Sequence, residues 1–137
     1  MDGIGKRERE NSFGSRPLEV RMVGPQPQDR ILILKKSWLE LILDGSKTME
    51  IRSMRLSPGR YWLGNEKMIY GSVKIGVAIP ILSVEQWRSL RPRHLCDNVA
   101  LPYKNTFALP ILSAQVTRRV PFRHPRGAIG IVKYRRV

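Results

Sequence analysis

No apolar run in this chain is longer than a β-strand, and that limits the folds open to it. The longest, residues 31–34 and 76–82, are strand-sized and are closed by charges or turn residues. A membrane-spanning helix needs about 20 consecutive apolar residues, so no membrane partner is expected. With 137 residues and 42% apolar content, there is material for one hydrophobic core and not for two. The architecture must therefore come from many short elements packed around a single centre.

Punctuation along the chain marks those elements. Residues 1–29 mix charges with glycine and proline and have no period of 2 or 3.6, so they read as a flexible N-terminal tail. The segment Gly24-Pro25-Gln26-Pro27-Gln28 is a stiff polar hinge, and the folded domain is expected over residues 30–137. Residues 31–35 predict a strand. Ser37-Trp38-Leu39-Glu40 has the form of a capping box, with Trp38, Leu41 and Ile42 on one helical face and Gly45 as the stop; this predicts a helix over 37–44. Strands are predicted at 48–53, from Tyr61 onward, at 74–81, 104–109, 115–120 and 128–135. A second capping box, Ser83-Val84-Glu85-Gln86, opens a helix that Pro92 ends. Six or so short strands with two short helices make a mainly β, α+β domain, folded as a mostly antiparallel, partly closed barrel.

Charge points to the partner. Of the net +14, residues 31–137 carry nearly all: 19 basic residues against six acidic ones. A compact body this positive concentrates polyanions around itself, which favours nucleic acid over a neutral or membrane partner. Cys96 is the only cysteine, which excludes an internal disulfide and fits a reducing, intracellular setting, cytoplasmic or nuclear. The N-terminus has no hydrophobic stretch of the secretory kind.

The sharpest local signal is Gly45-Ser46-Lys47-Thr48-Met49-Glu50-Ile51-Arg52, of the form G-x-K-x-x-E-x-R, placed directly after a helix. Glycine turns the chain out of the helix. Glu50 and Arg52, two apart on a strand, share a face, and Lys47 at the strand's mouth can converge on them. An ion pair on a solvated face would need no more than this. The motif and its setting resemble the ASCH domain family, a branch of the PUA-like superfamily. Lys36 to Trp38 at the helix start and Arg126-Gly127-Ala128-Ile129-Gly130 near the C-terminus are also similar to that family. The resemblance implies a PUA-like barrel of about six strands with short flanking helices. It also implies a nucleic-acid-binding cleft at the turn, with Lys36, Trp38, Gly45, Lys47, Glu50, Arg52, Arg60 and Arg126 as candidate contacts. Lysine would meet phosphate, arginine would fork onto phosphate or stack on a base, and glutamate would accept from an exocyclic amine.

Other features weigh less. Trp38, Tyr61, Trp62 and Trp87 are aromatic; Trp38 and Trp87 suit a core, whereas of the adjacent Tyr61 and Trp62 one is expected inward and one outward as a stacking platform. Arg118, Arg119, Arg123, Arg126, Lys133, Arg135 and Arg136 crowd the C-terminal third, with Phe122 and Tyr134 interleaved in the manner of a backbone-tracking groove. His94 and Cys96 are too few for a tetrahedral metal site, so no metal and no cofactor are expected. His124 beside Arg123 suits the surface. The expected function is a non-catalytic RNA-binding module, monomeric, taking single-stranded or structured RNA and open to ribonucleoprotein partners. One alternative is a small hydrolase of RNA or a modified nucleoside, a ribonuclease or amidohydrolase, using Lys47, Thr48 and Glu50. The amidohydrolases that resemble this family need a hydroxyl nucleophile where Glu50 stands. The other alternative is a scaffold or coactivator-type domain in a ribonucleoprotein or transcription assembly.

Overall fold

The computed structural model describes residues 24–137. The tail predicted over residues 1–29 therefore lies mostly outside the described residues. Within them the order is β1 (Arg30–Ile33), α1 (Lys36–Leu43), β2 (Met49–Arg52), β3 (Gly59–Asn65), β4 (Met68–Ile75), β5 (Ile79–Ile81), α2 (Val84–Ser89), α3 (Arg91–His94), β6 (Thr106–Pro121) and β7 (Ile131–Lys133). One seven-stranded sheet curls through the order β2-β6-β4-β3-β1-β7, with β5 also on β6. All neighbours are antiparallel except β1 and β3, which run parallel with Ile31 beside Trp62. The molecule is the mainly β, partly closed barrel that the sequence predicts.

Both faces of the sheet are covered. Leu32, Tyr61, Leu63, Val73 and Leu109 form one cluster with Leu39 and Ile42 of α1. Ile31, Trp62, Ile69, Phe122, Val132 and Tyr134 form a second. Adjacent Tyr61 and Trp62 thus point to opposite faces and are both buried, which corrects the expectation that one would stand out as a platform. Their polar ends are satisfied: the Tyr61 hydroxyl donates to the Ser57 carbonyl at 2.8 Å, and Trp62 Nε1 donates to Asp29 Oδ2 at 3.0 Å. Phe122 and Tyr134 are core as well, so the basic residues around them are not interleaved with exposed rings.

Several boundaries differ from the sequence expectation for identifiable reasons. The hairpin joining β3 to β4 turns through Glu66 (φ 48°) and Lys67 (φ 69°), two left-handed residues where such turns favour asparagine or glycine; β4 therefore starts at Met68, well before residue 74. The strands predicted at 104–109 and 115–120 are one 16-residue strand. Pro110 is accommodated where β6 changes partners: it lies opposite Met49 of β2, its carbonyl accepts from Gly76 N–H at 2.9 Å, and the β4 register shifts between Lys74 and Ile75. The capping box at Ser37 does not form, because α1 begins at Lys36 with Lys35 as N-cap. Its buried face is Leu39 and Ile42 rather than Trp38, Leu41 and Ile42. At Ser83 the hydroxyl does accept from Gln86 N–H, at 3.1 Å. The second helix ends at Ser89 with Leu90 as its C-cap, as expected, and Pro92 then stands in the first turn of the short α3. Close packing of α1 on the sheet requires Gly71, where a Cβ would lie 2.5 Å from the Gln115 carbonyl and 2.7 Å from Leu43. No helix among the described residues is long and apolar enough to cross a membrane.

Candidate functional site

The G-x-K-x-x-E-x-R segment is shaped by the end of α1. Gly45 takes φ 88° with nothing within 4 Å of where a Cβ would stand, so glycine is needed there for conformation and not for space. The Ser46 side chain, together with its backbone N–H donating to Asp44 Oδ1 at 2.8 Å, holds the Asp44 carboxyl below the usual carboxylate range, and Lys47 N–H donates to the Leu41 carbonyl at 2.9 Å. This fixed turn drives the Lys47 side chain into the protein, where it is 1% exposed.

A buried lysine must find partners, and Lys47 has three. Its ammonium donates to the His94 carbonyl, lies 3.8 Å from Glu50 Oε1 and sits 4.3 Å from the centroid of the Trp38 ring. Burial lowers its pKa, opposed by the negative charge of Glu50. Glu50, also buried, accepts from Arg52 Nε through Oε2 at 2.8 Å, and Arg52 Nη2 donates onward to the Ile33 carbonyl at 2.8 Å. Ile33 N–H in turn donates to the Gly130 carbonyl at 2.7 Å. Strands β2 and β7 are the two ends of the hydrogen-bonded order, so Arg52 bridges the open seam of the barrel from β2 to β1. The three charged residues of the motif form one continuous chain, and the chain helps to close the fold.

The far wall is held by a second buried polar group. His94 stacks on Trp87 with ring centroids 3.9 Å apart. Its Nδ1 accepts from Cys96 N–H at 2.9 Å, so Nε2 carries the proton and donates to the Trp87 carbonyl at 2.9 Å. Burial lowers the His94 pKa, and the charges of Lys47 and Arg91 push the same way. Burial likewise raises that of the Cys96 thiol, against the pull of Lys47.

Over this floor opens a cavity of about 340 Å³, walled by Trp38 and Tyr103 and reached by Lys35, Cys96 and Asn98. Trp38, Lys47, Glu50 and Arg52 are thus brought together as the sequence predicts, with Gly45 setting the turn. The other candidates lie elsewhere. Lys36 points along α1 to Glu40 at 3.9 Å and over the Tyr70 ring at 4.8 Å; its neighbour Lys35, the extended N-cap residue just outside the helix, lines the cavity. Thr48 is exposed and does not line the cavity, which separates the only hydroxyl of the hydrolase alternative from Lys47 and Glu50. Arg60 lies in a different hollow, and Arg126 is exposed in a turn. His124 is tied to the Ala128 carbonyl at 2.7 Å. No cluster of three or more metal-ligating side chains occurs among the described residues. Sequence reasoning missed Lys35, Asn98, Pro102 and Tyr103, the last three in a loop without periodicity.

Comparison with known proteins agrees with this fold. The family model described as "ASCH domain" matches residues 32–121. Among solved structures, ASCH from Zymomonas mobilis superposes with a TM-score of 0.62 at 15% identity, covering 79% of this chain and 88% of that one. A point mutant of the same protein gives 0.62 at 16% identity, covering 81% and 91%. Likeness at this identity speaks for the fold alone. No curated protein matches the sequence. A family match across two thirds of the chain, over the segment that carries the motif and nearly all of the barrel, makes this chain a member of the ASCH domain family.

Proposed function

We propose that this protein is a non-catalytic RNA-binding module whose cleft accepts an unpaired base while surrounding cations hold the backbone. The observation that carries this reading is the Lys47–Glu50–Arg52 chain lying at the floor of an aromatic-walled cavity on a strongly basic domain. A cavity of about 340 Å³ falls at the small end of ligand pockets, suited to one base or nucleoside and not to a duplex. Glu50 supplies an acceptor for an exocyclic amine, and Arg52 and Lys47 fix that acceptor in place before any ligand arrives. Trp38 and Tyr103 supply the apolar walls on which a base can rest.

A hydrolase reading has one observation in its favour: Lys47 is held below the ordinary lysine range beside a carboxylate, as a general base would be. Against it, Thr48 stands outside the cavity. Both readings are addressed by filter binding of single-stranded and duplex RNA and DNA across a salt series. Single-stranded RNA should bind, losing about 0.7 in the log–log salt slope for every phosphate contact made. A flat salt response, or no binding at low ionic strength, would overturn the RNA reading, and cleaved or deacylated product in the same tubes would favour the enzyme.

A further inference from the structure

Away from the cleft, the barrel places like charges directly opposite one another. Arg60 of β3 pairs in register with Lys74 of β4, and Lys74 with Ser113 of β6. Cross-strand like charges repel and are unfavourable on an isolated sheet. The next row on the same face is Trp62, Ser72 and Gln115. Together Arg60, Lys74, Ser72, Ser113 and Gln115 line a hollow of about 270 Å³ that contains no carboxylate and shares no residue with the cleft. Ser72 is 3% exposed; its Oγ accepts from Arg60 Nη1 at 3.2 Å and, among the described residues, donates to no protein acceptor.

A second like-charged pair adjoins the first. Arg30 of β1 faces Lys133 of β7 in register, and Arg30 Nη2 donates to the Arg60 carbonyl at 3.1 Å. Arg30, Lys133 and Arg60 border a neighbouring hollow whose one acid, Asp29, is already engaged by Trp62 Nε1 and Gln26 N–H. The Arg30 guanidinium turns to the opposite face of the sheet from Arg60 and Lys74, where it lies over the Tyr61 ring at 4.0 Å and donates to the Tyr61 hydroxyl at 2.9 Å.

We propose that the Arg60–Lys74 hollow is a phosphate-binding site, a second grip on the backbone of the nucleic acid whose unpaired segment enters the cleft. Two opposed cations, two hydroxyls and an amide match a phosphodiester: the cations neutralise it, and the Ser and Gln donors hydrogen-bond its oxygens. A bound phosphate would also relieve the repulsion that the bare pair carries. The role as a second grip rests on the RNA reading; the affinity for phosphate does not.

The test uses the full chain and two charge-matched double variants, Arg60→Gln with Lys74→Gln and Arg135→Gln with Arg136→Gln. Single-stranded RNA binding is measured across a salt series. The hollow variant should make the salt dependence shallower by about 1.4 in slope, two contacts at about 0.7 each, and the C-terminal variant by clearly less. Equal losses from both would mean diffuse charge and overturn the site. Inorganic phosphate alone, added at constant ionic strength, should shift the backbone amides of Ser72, Lys74 and Ser113 in the wild type and not in the hollow variant. If the wild type binds no RNA but shows these shifts, the RNA reading falls and the phosphate site stands. Absence of the shifts overturns the phosphate site itself.

Discussion

In the cleft, the ammonium of Lys47 is met by a carbonyl, a carboxylate and an indole, and the carboxylate by a guanidinium. In the outer hollow, Arg60 and Lys74 stand side by side, exposed, with no carboxylate around them. The same residue types are used for opposite ends. Buried, mutually paired charges are costly to desolvate and costly to break, so they hold geometry: here they orient an acceptor and bridge the seam between β2 and β1. Exposed, opposed charges hold no geometry and keep their field for a ligand. A residue's contribution to fold and to binding should therefore separate according to which region it occupies.

The strongest way to break that division is Glu50→Gln. It leaves Lys47 buried without its carboxylate and replaces one of the two acceptor oxygens by an NH2 group, which must face either the Lys47 ammonium or Arg52 Nε, so stability should fall by about 3–5 kcal/mol in denaturant unfolding. The same variant makes the protein more positive. Were the cleft only diffuse charge, RNA would bind the folded variant more tightly; loss of an oriented acceptor means weaker binding. An unchanged unfolding midpoint would show that the chain from Lys47 to Arg52 is a weak surface pair.

The second test reads a slope. His94 is neutral in the fold, its Nδ1 taken by Cys96 N–H, and its pKa is lowered by burial from the ordinary 6.5. The unfolded chain takes up a proton near 6.5 while the folded one resists until lower pH. Stability supported by His94 is thus complete above pH 6.5 and declines as pH falls below it towards the folded-state value. The thermal midpoint should drop on acidification through this range, and His94→Gln should flatten the drop. An identical decline in the variant would remove His94 from the cleft's support.

The smallest effect sharpens the boundary of the site by one residue. Lys36→Ala should change RNA affinity little and stability by less than about 0.5 kcal/mol, since its pair with Glu40 is exposed. Lys35→Ala, at the cavity rim, should weaken RNA binding measurably. The reverse order would move the rim along α1.

How far the sequence could be read follows from where the information lies. The turn, its glycine and the Lys47–Glu50–Arg52 convergence are local, so spacing and strand period were enough. Tyr61 and Trp62 were not settled by alternation, because alternation does not tell that the second face of the sheet is covered by Phe122 and Tyr134, distant in sequence. The β3–β4 hairpin was hidden because Glu66 and Lys67 carry none of the usual turn chemistry. β6 was split in two because Pro110 ends most strands and is tolerated here only at a change of partner. Arg60 was legible as a cation, but its place in a separate hollow depends on the pairing of β3 with β4. Tyr103 came from a loop without periodicity, in which Leu101 packs against the cluster that includes Met49 and Ile51 of β2.

Trp38→Ala tests the central claim most directly, because it alters the cleft without altering charge. Trp38 walls the cavity and covers the Lys47 ammonium. Single-stranded RNA affinity, measured for wild type and variant across one salt series, should fall by about 1–3 kcal/mol with the salt slope unchanged. Affinity equal to wild type, with the fold intact, would contradict the cleft as the site where RNA is held.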